Sequence, residues 1–356
     1  MLKSGPRFFT TRQAARTLLP HLACPSPTSF ISQRPYSAAH ASPALSAARA
    51  PQRALLYVPG SNEKALKKAL GGGLTGEDAP DVVTLDLEDS VRTEKKTEAR
   101  RLVRDIRSCP SLQNAPGALK SKRFVRINPG QAGLDDLEAV LQSPRIDGMI
   151  LPKVNTAQDL LAVHDFIDRH SPHAEHKSSL KLIASIESPK ALLNMQEIAS
   201  CSDKVGGLLF GAEDYCAASR LIRTPSRREM LFARSSIVTV AHAYGLAAID
   251  LVCVKYKGEE AQQVLVDECR EGREMGFTGK QAIHPAQVST IQRAFAPSPA
   301  EIERAQAILA QYAEVSTTGA GAYGLKNADG GVDMIDAPML LQAQSIIAQA
   351  EAAGLL

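Results

Sequence analysis

Eight short runs rich in aliphatic and β-branched residues recur between residues 53 and 285, and segments with helical spacing separate most of them. The runs are Ala54–Pro59, Val82–Glu88, Arg123–Asn128 and Gly148–Val154, then Leu180–Glu187, Val205–Asp214, Ala247–Val254 and Gly279–Pro285. Most are apolar stretches bounded by turn residues, the pattern of parallel strands covered on both faces. The helical segments are Glu63–Leu70, Thr93–Ile106, Leu134–Leu141, Ala157–Arg169, Pro189–Ser200, Arg227–Tyr244 and Glu259–Met275. Parallel strands need crossovers of a dozen or more residues, and helices supply them. Eight such units predict an α/β chain folded as a (β/α)8 TIM barrel over residues 53–296, followed by a C-terminal helical extension over residues 297–356. A doubly wound open sheet is the alternative, but no glycine-rich turn follows the first run.

Gly319-Ala320-Gly321-Ala322-Tyr323-Gly324 matches the GxGxxG spacing of dinucleotide sites. Such a site needs the glycines between a strand and a helix. Here they follow a helical segment, Ala300–Glu314, and run into Asn327-Ala328-Asp329-Gly330-Gly331, so the stretch reads as a connector.

Charge divides the chain. Residues 1–52 contain Lys3, Arg7, Arg12, Arg16, Arg34 and Arg49 and no acidic residue. With those six set aside, 35 of the 41 basic residues face 38 acidic ones, and the net charge of +3 becomes −3. The body therefore gives no compositional reason to expect nucleic-acid binding. The acid-free, Arg- and Ser-rich start reads as a mitochondrial transit peptide over residues 1–36, with Arg34-Pro35-Tyr36-Ser37 as a matrix-protease site. Residues 37–52 read as a flexible linker and the destination as the mitochondrial matrix. No apolar run approaches the roughly 18–20 residues of a membrane helix, so no membrane partner is expected. The six cysteines form no CxxC and no zinc-type cluster, and read as single thiols in a reducing compartment.

In a TIM barrel the chemistry gathers at the C-terminal strand ends. In order, those ends offer Asp86, Glu88 and Asp89; Arg126 and Asn128; Lys153; Glu187; Glu213 and Asp214; Asp250; and His284. Many carboxylates would then share one ring with few cations, and buried charges need partners. A hard divalent cation is one such partner, and oxygen donors select Mg²⁺, Mn²⁺ or Ca²⁺ over zinc. Glu187 and Asp214, each closing an apolar run, are the best ligand candidates. The pattern alone leaves open whether they hold a cation or pair with Arg126 or Lys153.

At these residues the chain resembles the CitE-like branch of the HpcH/HpaI aldolase and citrate lyase superfamily. The resemblance is carried, in order, by Leu56-Tyr57-Val58-Pro59-Gly60, Leu85-Asp86-Leu87-Glu88-Asp89-Ser90, Val125-Arg126-Ile127-Asn128 and Leu151-Pro152-Lys153-Val154. It continues through Ile186-Glu187-Ser188-Pro189, Phe210-Gly211-Ala212-Glu213-Asp214, Ala248-Ile249-Asp250-Leu251-Val252, Gly276 to Pro285, and Met334-Ile335-Asp336-Ala337-Pro338. These motifs cover roughly residues 53–350.

The resemblance implies a TIM barrel with a C-terminal extension, assembled as a homotrimer. It implies Mg²⁺, with Mn²⁺ as an alternative, on Glu187 and Asp214, and Arg126 as the holder of the substrate's carboxylate and oxygen. Tyr57, Lys64 and Lys68 would contact the CoA thioester, and Ile283 and His284 would line the same substrate. Asp86, Glu88, Asp89 and Lys153 would stand behind these, holding water and Arg126. Asp336, on the extension, would enter a neighbouring subunit as the acid/base; by sequence alone it looks like a helix cap. The implied partners are an acyl-CoA and a small 2-oxo acid, and the implied reaction is Mg²⁺-dependent carbon–carbon cleavage of a 3-hydroxyacyl-CoA, citramalyl-CoA giving acetyl-CoA and pyruvate. Two rivals stand beside it: condensation of an acyl-CoA with glyoxylate in the same site, and a partner-dependent or non-catalytic CoA-ester-binding subunit like a citrate lyase β chain. Relatives often carry an aspartate-rich D-F-x-D segment where this chain has Val254-Lys255-Tyr256-Lys257, and often Thr then Gly where it has Ser188-Pro189. Both departures leave the acyl specificity open.

Overall fold

The computed structural model describes residues 51–71, 73–107, 121–143, 145–315, 323–326 and 332–356. The expected leader, the linker up to residue 50, Cys24, Cys109 and Gly319–Ala322 lie outside the described residues. The eight runs become β1 (Ala54–Pro59), β2 (Val82–Asp86), β3 (Lys122–Arg126), β4 (Gly148–Val154), β5 (Lys181–Ile186), β6 (Val205–Phe210), β7 (Ala247–Asp250) and β8 (Gly279–Ala282). They are parallel and close into a barrel in sequence order, with β1 pairing β8 through Leu55↔Gln281.

The helices are α1 (Glu63–Leu70), α2 (Lys96–Arg107), α3 (Gln131–Val140), α4 (Ala157–His170), α5 (Ala174–Ser179), α6 (Pro189–Leu193) and α7 (Met195–Ser200). Then come α8 (Ala212–Ser219), α9 (Leu231–Ala243), α10 (Glu259–Glu274), α11 (Val288–Ala294), α12 (Pro299–Val315) and α13 (Ala337–Ala352). Their starts carry the expected stop-and-start chemistry. Asn62 caps α1, Ser188 caps α6 with Pro189 in the first turn, and Thr156 and Asp159 form a reciprocal capping box on α4. The segment read as one helix over Pro189–Ser200 is two, α6 and α7, which meet at Asn194.

Strand alternation makes two cores. Leu55, Val82, Phe124, Ile150, Ile183, Leu209 and Ile249, one from each of seven strands, fill the barrel interior. Residues of opposite parity, such as Leu56, Val83, Val125, Leu182 and Leu208, join the helices in the outer core. Each such aliphatic side chain contributes about 1.5–3 kcal/mol on burial. The interior layers floor the barrel, so the polar residues above them stand at its C-terminal mouth.

Three strand ends fall short of their sequence expectation. β6 stops at Phe210, and Glu213 and Asp214 lie in the first turn of α8, where the helix dipole favours carboxylates. β8 stops at Ala282, and His284 instead caps a short 3-10 turn over Pro285–Gln287. β7 ends at Asp250, but this residue has the outward parity. Asp250 is fully buried against Arg234 of α9, with oxygens 3.1 and 2.8 Å from Nε and Nη2, and so is not part of the mouth. Lys280 and Glu268 extend this buried ionic layer, with Nζ 3.0 Å from Glu268 Oε2.

After the barrel, α12 and α13 pack through Ala305, Ile308 and Ala343, joined by Ile335. The stretch between them, read as a plain connector, holds an antiparallel pair, β9 (Tyr323–Lys326) and β10 (Val332–Ile335). Cys216, Cys253 and Cys269 are buried free thiols. Among the described residues no helix is long and apolar enough to cross a membrane.

Candidate active site

The mouth is organised by Asp86 and Arg126, the last residues of adjacent strands and paired in register. Asp86 is fully buried and receives Arg126 Nε at 2.6 Å and Nη2 at 2.7 Å, a two-pronged guanidinium–carboxylate contact. Its oxygens also accept from the main chain of Glu88 and Ser90 at 3.0 and 3.1 Å. Burial alone would raise the Asp86 carboxyl, but the Arg126 hydrogen bonds outweigh it and hold the group below the usual carboxylate range. With so many donors on it, Asp86 serves Arg126 rather than a metal.

Arg126 Nη1 turns toward Glu88 Oε2 at 3.0 Å and Asp89 Oδ2 at 3.3 Å. Glu88 is buried, and its Oε2 lies near Arg126 without an aligned donor. Burial pushes its carboxyl up to about 8, with Arg126 opposing and Asp89 adding to the rise. Asn128, one of the expected ring residues, faces away: its amide donates to Leu87 O at 2.8 Å and Asp136 Oδ2 at 2.7 Å. Lys96 of α2 reaches Leu87 O, Glu88 O and the Asn128 side chain, so the Leu87–Asp89 turn is pinned from behind.

Glu187 follows β5 directly and is 8% exposed. Its Oε2 accepts the Lys153 main-chain N–H at 3.0 Å. That contact depends on a bulge in β4 between Leu151 and Val154, where Lys153 takes a left-handed φ of 54°. Burial, then the nearby Asp214, pushes the Glu187 carboxyl up to about 7, while the Lys153 N–H and the Ser185 hydroxyl pull it down. Gly211 makes room for the pair, since a Cβ there would meet Glu187 Cγ at 2.4 Å. Asp214 is exposed, and its neighbour Glu213 is engaged by Arg223, so Asp214 is the α8 carboxylate left facing Glu187 and Lys153. Lys153 Nζ lies 3.7 Å from Glu88 Oε1 and 4.0 Å from Asp214 Oδ1.

Five carboxylates, those of Asp86, Glu88, Asp89, Glu187 and Asp214, thus surround two cations, Arg126 and Lys153. The Glu187–Asp214 side holds the surplus negative charge, in an all-oxygen donor set that fits a hard divalent ion. Among the described residues no group of three His, Cys, Asp or Glu side chains converges as a metal cage. Two carboxylates with the remaining positions left to water and substrate is what Mg²⁺ commonly takes.

The other expected residues lie around this centre. The Tyr57 hydroxyl donates to Gln281 Oε1 at 3.1 Å, and its ring centre is 4.8 Å from the Arg126 guanidinium carbon. Lys64 and Lys68 are exposed on α1, the helix that follows β1. Ile283 is exposed, while His284 accepts from Ala286 N–H and stacks on Tyr256 with ring centres 5.2 Å apart. Asp336 is exposed and caps α13, its Oδ1 accepting from Met339 N at 3.2 Å. The described contacts do not bring it to Glu187 or Arg126 within one chain. Gln281, Gly211, Ser185, Lys96 and Asp136 were not singled out from the sequence. For Gln281 and Ser185 the available signal was parity, because both share the interior face with neighbours two residues away.

A cavity of about 470 Å³ opens at the opposite end, walled by Arg53, Leu246, Phe277, Phe295 and Ile346 of α13 among others. Three of its polar side chains are held by the fold: Arg53 by Asp81, Arg273 by Glu301, and His242 by Gly276 O. The other mouth gathers Asp86, Glu88, Asp89, Glu187 and Asp214 around Arg126 and Lys153, with carboxyls pushed up at Glu88 and Glu187, and is therefore the candidate site.

Comparison with known proteins identifies the family. A model of the HpcH/HpaI aldolase/citrate lyase family matches residues 53–285. The human protein "Citramalyl-CoA lyase, mitochondrial" is 34% identical over 308 residues, 83% of this chain and 85% of its own. "Citrate lyase subunit beta" of Haemophilus influenzae is 32% identical over 303 residues, 84% of this chain and 97% of its own. The crystal structure of CitE from Mycobacterium tuberculosis, in complex with magnesium, acetoacetate and coenzyme A, superposes with a TM-score of 0.64 at 27% identity. The match covers 86% of this chain and 99% of that one.

Proposed function

The chain belongs to the HpcH/HpaI aldolase/citrate lyase family, and from that membership we propose that it is a Mg²⁺-dependent carbon–carbon lyase of a CoA thioester. The substrate is a 3-hydroxy-3-carboxyacyl-CoA, and citramalyl-CoA, cleaved to acetyl-CoA and pyruvate, is the reading best supported. The observation that carries it is the juxtaposition of two neighbouring carboxylates, Glu187 and Asp214, with a guanidinium locked on Asp86.

Glu187 and Asp214 are the residues to hold the metal, with Mn²⁺ as an alternative ion. When bound, the ion supplies Lewis-acid polarisation of the substrate's hydroxyl and carboxylate oxygens. Arg126 orients that carboxylate and stabilises the oxygen that becomes the keto group. Glu88 and Asp89 hold Arg126, and Lys153 stands against Glu88. Cleavage breaks the bond between the carbinol carbon and the CoA-bearing methylene, and the bonding pair passes to the acetyl-CoA enolate. The hydroxyl proton passes to bulk water as the keto group forms, and the methylene carbon takes one proton in return. Asp336 delivers that proton, entering from a neighbouring subunit of a homotrimer. Tyr57, Lys64 and Lys68 on the β1–α1 side, with Ile283 and His284 after β8, border the CoA thioester. The mitochondrial relative and the acid-free leader together support a mitochondrial location.

A coupled assay with citramalyl-CoA and Mg²⁺, following pyruvate release, tests this reading. Turnover lost in both Glu187→Ala and Asp336→Asn supports it. A folded chain that binds CoA esters but releases no pyruvate sinks it. Product from glyoxylate with acetyl-CoA, or activity only with added partner subunits, would move the assignment to condensation or to a partner-dependent subunit.

A further inference from the structure

Gln281 has no part in the chemistry above, yet it ties the barrel mouth together. It stands on β8 and is 6% exposed. Its Nε2 donates to Phe210 O and to Asp250 O, each at 3.0 Å. These carbonyls belong to the last residues of β6 and β7. The last paired residues between those two strands are Leu209 and Ile249. The Gln281 amide therefore bridges strands where their own pairing has stopped. With both amide hydrogens engaged, only one orientation of the group is satisfied, and it aims Oε1 at β1.

There Oε1 receives the Tyr57 hydroxyl at 3.1 Å. Burial pushes that hydroxyl well above its usual range, so it stays a donor. The Tyr57 ring lies against the Arg126 guanidinium, 4.8 Å from ring centre to carbon. Asp86 grips the guanidinium along one edge only, through Nε and Nη2. Glu88 and Asp89 add contacts at Nη1. Contacts through the N–H groups fix the guanidinium's position in its plane more than its tilt, which a ring against the face restrains.

We infer that Gln281 is a positioning residue for Arg126, acting through Tyr57: the β8 amide sets the tyrosine, and the tyrosine sets the plane of the guanidinium. The inference rests on the reading of Arg126 as the group that orients the substrate's carboxylate. It gives Gln281 a role beyond joining strands, and it predicts that the two residues act as one unit.

The test is a double-mutant cycle of Tyr57→Phe, Gln281→Met and the pair, in the full chain. Two readouts are taken: kcat/KM for CoA-ester cleavage, and the Arg126 Nε–H relaxation by NMR of arginine-labelled protein. Each single variant should lower kcat/KM about tenfold, the size of one lost hydrogen bond, and the pair no more than about tenfold, because both remove the same link. The Arg126 signal should lose order in all three variants while the fold persists. Losses that multiply to about a hundredfold, or an Arg126 signal unchanged in Gln281→Met, would reduce Gln281 to a strand tie and overturn the inference. If the unsubstituted chain cleaves no CoA ester, the proposed function fails, and the NMR arm alone still decides whether Gln281 sets Arg126.

Discussion

The Lys153 main-chain N–H, not its side chain, grips Glu187 Oε2 at 3.0 Å, and it does so from a left-handed backbone at φ 54°. A non-glycine residue in that region costs about 1–3 kcal/mol and persists where the surroundings enforce it. The bulge in β4 therefore exchanges backbone strain for a fixed Glu187 carboxylate, the proposed metal ligand. Lys153→Gly keeps the N–H and relieves the strain; Lys153→Pro removes the N–H and demands a φ near −65°. Mn²⁺ affinity by electron paramagnetic resonance should be retained in the glycine variant and fall more than about tenfold in the proline variant. Equal losses in both would assign the effect to the lysine side chain.

Gly211 tests the other wall of the same carboxylate. Its φ of −87° suits any residue, so the objection to a side chain is steric alone. Alanine would bring a Cβ to 2.4 Å from Glu187 Cγ. Gly211→Ala should fold with about 1–3 kcal/mol less stability and lose about tenfold or more in Mn²⁺ affinity. Calorimetric titration beside a thermal melt reads both numbers, and undiminished metal affinity would show that Glu187 does not need its observed position.

Asp86→Asn removes the charge that Arg126 grips while keeping the shape. The guanidinium keeps Glu88 and Asp89 as neighbours, so the cost should be about 2–4 kcal/mol, near the lower end for a broken buried pair. Because the folded Asp86 carboxyl is held below its usual value, the stabilisation is complete above the unfolded value of about 3.9 and declines as pH falls toward the folded one. Melting curves should therefore show the wild type ahead of the variant at neutral pH and the gap narrowing below about pH 4. A gap that stays constant into acid would mean that Asp86 acts by shape rather than by charge.

Much of this site was legible because strand alternation carries it. Tyr57 shares its face with Leu55, Asp86 with Val82, Arg126 with Phe124, and Glu187 with Ile183, so the interior apolar residues mark which polar ones reach the mouth. The same rule separates Asp250 from the site, since it follows the interior residue Ile249 and points to the helices. Composition alone counted it as one more carboxylate at a strand end. Asp214 and His284 were placed on strands because apolar and small residues run on past the last ladder bond. Gly211 and Pro285 are where those strands give way to a helix and a 3-10 turn. The Lys153 bulge had no signal beyond the preceding Pro152, because a left-handed lysine arises from tertiary packing and not from local preference.

That reassignment of Asp250 has its own measurable consequence. Asp250 and Arg234 are both fully buried. Asp250→Asn leaves Arg234 with a buried, partly unpaired charge and should cost about 3–5 kcal/mol, with Mn²⁺ affinity unchanged in the folded fraction. A variant of near-native stability that loses metal would return Asp250 to the mouth.

The placement of Asp336 asks for a test that distinguishes one chain from several. The residue caps α13 and is exposed, and no described contact joins it to the Glu187 side within the chain. If a neighbouring subunit supplies it, two inactive variants should repair each other. Glu187→Ala lacks the proposed metal ligand but offers an intact Asp336; Asp336→Asn has the reverse. In an equimolar mixture assembled together, a barrel with intact Glu187 meets a neighbour with intact Asp336 in about a quarter of sites of a closed ring. Pyruvate release should then recover to about a quarter of the wild-type rate, with each variant alone remaining inactive. If Asp336 instead served its own barrel, every site in the mixture would still lack one group, and no recovery would follow. Complementation therefore reads the direction of donation directly, whatever the absolute rate of the wild type.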